Sequence, residues 1–161
     1  MSPIKLPGQT LTAIGSGREI QVRKTGVPIV LIYHSRNTAE VAREINNVIR
    51  DKYTKASEVL IASIVDMHFI PRLMRGVTEK MIAGEYEKAT AELKEGQDPQ
   101  DFIIILVDWN GKMTSGAGFE NTNDQPGLIV LDAEGDLVDI YQGDEPVQKA
   151  LQLVDQVLAV G

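Results

Sequence analysis

Apolar positions along this chain follow two rhythms, and they meet in one stretch. From Pro28 to Tyr33 it reads P-I-V-L-I-Y, an unbroken apolar run rich in β-branched residues. That is the composition of a strand buried on both faces of a sheet. Further on, Val41, Ile45, Val48 and Ile49 recur at helical spacing, and Asn37 followed three residues later by Glu40 predicts an N-cap with a reciprocal capping partner. Val27 to Ile49 is therefore expected to be the central strand feeding a helix through His34, Ser35 and Arg36. Open α/β sheets place ligands at such junctions, where free amides and the helix dipole converge.

The same patterns divide the rest of the chain. Thr10 to Ile14 and Glu19 to Arg23 read as short strands flanking Gly15-Ser16-Gly17, an opening hairpin. Glu58 to Val65 is a second apolar run reached by a helical crossover, hence parallel to the first. Its end, Asp66-Met67-His68, should then lie at the same sheet edge as His34. Phe69 to Glu95 is helical in pattern, with Ile70, Leu73, Met74, Val77 and Met81 on one face, Gly84 as a division and Gly96 as a stop. Met67, Met74 and Met81 form a stripe expected to be core; exposed, it would mark a partner surface. Phe102 to Val107 and Leu128 to Leu131 are further strands closed by D-W-N-G and D-A-E-G, both suited to hairpin turns. Trp109, at the first of these turns, is expected to pack inward or to cover a groove. Val138 to Tyr141 is the last strand. Val147, Ala150, Leu151, Val154, Val157 and Leu158 then make an amphipathic helix opened by Asp144, Glu145 and Pro146.

Composition narrows the chemistry. The 161 residues suit a single domain spanning 1–161, and 43% hydrophobic residues suit a globular one. A formal charge of -7 with no basic cluster argues against nucleic acid or an anionic membrane as partner. No signal-peptide core and no bilayer-length apolar run is evident, so a cytoplasmic setting is expected. Cysteine is absent, which excludes a disulfide, a thiolate nucleophile and a cysteine metal site.

Hairpin, βαβ unit, long helical segment and a second half of strands closed by a helix resemble the thioredoxin-like superfamily. The resemblance is to the redoxin branch, the TlpA-like and AhpC/TSA peroxiredoxin-like proteins, and it covers nearly the whole chain. Y-H-S-R-N-T-A-E-V falls in register with the family's Phe-Trp-Ala, an intervening pair and Cys-x-x-Cys, putting Thr38 and Val41 at the two cysteine positions. L-V-D-W-N-G-K-M-T-S-G-A-G-F and Q-P-G-L-I-V-L-D-A-E-G are similar to the family's second half, with Pro126 at its cis-proline. The resemblance implies a three-layer α/β/α sandwich with a mixed central sheet, an N-terminal β-hairpin and a helical insertion.

The family's disulfide exchange and peroxide reduction do not transfer, because both require a thiolate. What the resemblance leaves is a helix N-terminus facing a proline loop, a geometry that can bind without reacting. The candidate ligand-binding residues are His34, Ser35, Arg36, Asn37, Thr38, Asp66, His68, Trp109, Gln125 and Pro126. No catalytic residue, metal or cofactor is expected; a metal site from His34, Asp66 and His68 is the weaker reading of those side chains. The leading expectation is a cysteine-less, redox-inactive domain acting as a protein- or peptide-binding adaptor, with a homodimer as one form of partnership. The alternatives are a glutathione- or small-anion-binding enzyme using Ser35 or Thr38, and a degenerate redoxin with a purely structural role.

Overall fold

A computed structural model describes residues 4–160. A short antiparallel hairpin, β1 (Leu11–Thr12) and β2 (Glu19–Ile20), precedes β3 (Ile29–His34), α1 (Ala39–Lys52) and β4 (Leu60–Asp66). Then come α2 (Arg75–Ala91), the single turn α3 (Pro99–Phe102), β5 (Ile104–Asp108), the short α4 (Lys112–Gly116), β6 (Gly127–Leu131), β7 (Leu137–Gln142) and α5 (Pro146–Val160). The five-stranded sheet has the order β5-β4-β3-β6-β7. Its first three strands are parallel, while β6 runs antiparallel to both β3 and β7. As its composition predicts, β3 is central and all six of its residues are buried. Among the described residues no helix is long and apolar enough to cross a membrane.

Period-two alternation on the strands sends each residue set to its own layer. Val30 and Ile32 of β3, Ile61 of β4 and Leu128 and Val130 of β6 meet Ala42, Ile45 and Ile49 of α1 and Ala150, Leu153 and Val154 of α5. On the other face Leu31, Tyr33, Ile64, Leu106 and Ile129 are covered by Ala13, Ile20 and Val22 of the hairpin segment and by Ala117 and Phe119 beyond α4. The outer parallel strand is shielded too, since the Ile14 amide donates to the Ile105 carbonyl at 2.9 Å.

Several expectations are corrected. Asn37 caps no helix: Ser35 caps a 3-10 turn (Arg36–Thr38), its hydroxyl accepting from the Asn37 amide with Thr38 as reciprocal partner, and α1 then starts after Thr38, which makes no side-chain cap bond to it. Gly84 does not divide the inserted helix, because a single glycine costs only about 1 kcal/mol in a helix interior, and α2 runs through it and ends at Ala91, ahead of Gly96. D-W-N-G is no hairpin turn. It joins β5 to α4, with Gly111 at φ 72 as the N-cap, because β5 pairs in parallel and its chain must leave the sheet. The Gln125–Pro126 peptide is trans, not cis. Of the methionine stripe only Met67 is core; Met74 and Met81 are exposed.

Gly127 opens β6 opposite Tyr33, and the Phe119 ring lies on its backbone, 5.0 Å centroid to centroid from the Tyr33 ring. A Cβ at 127 would overlap that ring. Gly127→Ala is expected to lower stability by about 1–3 kcal/mol, read as a lower urea midpoint at unchanged slope. An unchanged midpoint would contradict this packing.

Candidate functional site

The β3–α1 junction is closed by its own hydrogen bonds. The Ser35 amide donates to Thr38 Oγ1 at 3.0 Å, and the Asn37 amide to Ser35 Oγ at 3.1 Å. Thr38 Oγ1 in turn donates to the carbonyl of Thr122 at 2.7 Å, with Ser35 Oγ reaching the same oxygen at 3.4 Å. Ser35, Thr38 and Thr122 are all buried. A hydroxyl has one proton to give, and that of Thr38 is given to Thr122. It is not free to stabilise a bound thiolate. The proline loop is equally engaged: Pro126 is buried, and Gln142 Nε2 donates to the carbonyls of Glu120 at 2.6 Å and Gln125 at 2.9 Å. Gln125 Nε2 reaches Asp144 Oδ1 at 2.6 Å. Arg36 and Asn37 remain exposed at the rim.

The other candidates share the sheet edge but not one pocket. His34 is paired with Val65 and Asp66 with Asp108, so alternation sends His34 and Asp66 to opposite faces. Asp66 Oδ1 instead accepts from the His68 amide at 3.1 Å and lies 2.7 Å from His68 Nδ1. This separation removes the three-ligand arrangement. Trp109 is half-buried against the cluster of Val65, Met67 and Ile82, with the Arg75 guanidinium 5.3 Å from its ring centroid. That is a packing role.

His34 faces a different space. Between α1 and α2, over the sheet face formed by β3, β4 and β5, lies an open cleft of about 500 Å³. Its floor is Ile32, Ile61, Val65 and Ile105 with His34 and Ser63, and its walls include Ala42 of α1 and Ile82 of α2. Sequence reasoning singled out His34 but missed Ser63, Thr122 and the cleft itself. The spacing of a helix from its neighbour across a sheet leaves no trace in periodicity.

No family model matches the chain, and none of the curated proteins does. Solved structures do. A thioredoxin-like protein from Porphyromonas gingivalis superposes with a TM-score of 0.64 at 15% identity, over 97% of this chain and 93% of the other. The chain has the thioredoxin-like fold. An exposed lipoprotein thioredoxin from Streptococcus pneumoniae matches with a TM-score of 0.59 at 16% identity, over 92% and 98% of the two chains. A secreted Mycobacterium tuberculosis disulfide oxidoreductase matches at 0.56 and 14%, over 92% and 96%. The thioredoxin-like scaffold is thus present without a cysteine anywhere in the chain.

Burial pushes the His34 imidazole pKa down, partly offset by the bond of Nδ1 to the Ser35 carbonyl at 2.8 Å. An unfolded histidine takes its proton near about pH 6.5, whereas folded His34 resists protonation. The unfolded state then binds more protons, so stability falls as pH drops below that value and levels off below the folded-state pKa. Between about pH 7.5 and pH 5 the Tm of the wild type is expected to fall more than that of His34→Phe. Parallel Tm profiles for the two proteins would contradict this assignment.

Proposed function

We propose that this chain is a redox-inactive thioredoxin-like domain that works as an adaptor, binding another protein through the apolar face of α2 and the turn before it. One observation carries the reading. Of the seven exposed large apolar side chains among the described residues, five fall between 69 and 81: Phe69, Leu73, Met74, Val77 and Met81. Leu73 is 95% exposed. Scattered surface apolar groups need no explanation, but a row that runs from a loop through a 3-10 turn (Arg72–Met74) onto α2 is the signature of a contact surface. In water such a row contributes nothing; covered, each side chain would contribute roughly 1.5–3 kcal/mol.

Charge indicates the kind of partner. On a protein of net charge -7 this row is flanked by exposed Arg72 and Lys80 against Glu79, while Arg75 is turned onto the Trp109 ring. A partner offering apolar anchors within an acidic fringe complements it. Two-fold pairing of the same face would oppose its basic groups to one another, which disfavours a homodimer as the main partnership. The setting in this reading is cytoplasmic.

The test uses the full chain and Leu73→Glu/Val77→Glu, both sites being exposed enough to leave the fold intact. Wild type is expected to run as a monomer and to retain a discrete partner from source lysate at low salt. The double variant, with an unchanged Tm, should lose that partner. Retention of the same proteins by both would place the contact elsewhere and refute the reading, and a stable dimer abolished by the double variant would replace it with self-association.

A further inference from the structure

The cleft between α1 and α2 is lined by a side chain that the adaptor reading does not use. His34 is 6% exposed, and its Nδ1 lies 2.8 Å from the carbonyl oxygen of Ser35. A carbonyl oxygen can only accept, so Nδ1 carries the ring proton and Nε2 is left with a lone pair. Among the described residues Nε2 has no hydrogen-bond partner, and the ring lines the cleft. Ser63, one strand over on the same sheet face in register with Ile32, also lines the cleft, and its hydroxyl makes no hydrogen bond among the described residues. Both atoms stay within reach of solvent, so water is their ordinary donor, and a ligand that displaces it must supply a donor of its own or leave Nε2 unpaired.

The rest of the lining decides what kind of donor fits. Apart from these two groups the floor is aliphatic, and about 500 Å³ lies within the range of sites that hold whole small molecules. The charged side chains, Arg36, Arg43 and Glu85, sit at the mouth, where Arg43 lies 3.7 Å from Glu40. A carboxylate driven to the floor would meet a lone pair and no cation. We propose that this cleft binds a free, uncharged small molecule with an apolar body and a hydroxyl, the hydroxyl donating to His34 Nε2. Aromatic and alicyclic alcohols are the chemical class. Ser63 is placed to take a second polar atom of the same molecule. Phe69 and Met81 border both this cleft and the exposed row, whereas Leu73 and Val77 belong to the row alone, so a ligand on the floor at His34 and a protein on the row are separated by their contacts with His34 and with Leu73 and Val77.

The experiment compares two probes of equal size, 2-naphthol and 2-methylnaphthalene, by calorimetric titration of the full chain at neutral pH. Partition alone favours the methyl compound, since it is the more apolar. The proposal requires the opposite order, with 2-naphthol tighter by about tenfold as the hydrogen bond is gained and Nε2 is no longer left unpaired. His34→Phe keeps a ring but removes the acceptor, and should reverse the order. Should that variant fail to fold, nitrogen-15 NMR of the wild type reads the same contact: 2-naphthol should shift His34 Nε2, and 2-methylnaphthalene should not. No binding of either probe up to its solubility limit, tighter binding of 2-methylnaphthalene to the wild type, or an Nε2 resonance indifferent to 2-naphthol would each overturn the proposal.

Discussion

The Thr38 hydroxyl stands at the first cysteine position of the thioredoxin-like resemblance, and its proton goes to the Thr122 carbonyl 2.7 Å away. Thr38 Oγ1 itself accepts from the Ser35 amide at 3.0 Å. Between them these two bonds tie the end of β3, the start of α1 and the loop before β6 into one buried unit. A redox-active member of this fold needs that corner open and its sulfur reachable. Here the loop occupies it, and Pro126 behind it is buried on a trans peptide. Absence of cysteine and closure of the corner are therefore two observations that agree.

With that corner satisfied, the unsatisfied surface lies elsewhere. α2 is anchored by only two buried side chains, Thr78 and Ile82, while its neighbouring apolar row faces solvent. Because α2 stands away from α1, the sheet face between them is left as a cleft with His34 on its floor. Both the proposed protein contact and the proposed small-molecule site follow from this one placement. On the proposed reading, binding takes place at α2 and not at the N-terminus of α1.

Much of this was legible in the sequence, and the rest was not, for physical reasons. The apolar run ending at Tyr33 identified the central strand because burial on both faces forbids polar residues, and the crossover to Leu60–Asp66 had to return in parallel. The cap was misread because Asn37 and Ser35 are both good capping residues, and only the path of the backbone chooses between them. D-W-N-G was misread since a turn motif does not say whether the next element reverses the chain or crosses the sheet. Leu73, Met74, Val77 and Met81 were visible as one helical face together with Ile70, which the structure packs against Val65, Met67 and Ile82, but periodicity cannot distinguish a covered face from a bare one. His34 was picked out for its position at a strand end. Its free Nε2 emerged only from the 2.8 Å contact of its other nitrogen.

Residue-resolved amide exchange in the native state tests the closed corner most directly, because it reports whether the loop at Thr122 stays in place. Openings span free energies from near zero up to that of global unfolding. If the corner is closed as described, the amides of Ser35 and Thr38 exchange as slowly as those of β3, opening only with the core of the sheet. Fast exchange at Ser35 and Thr38 while β3 stays protected would show that the loop swings away and exposes the helix N-terminus, contradicting the account at its centre.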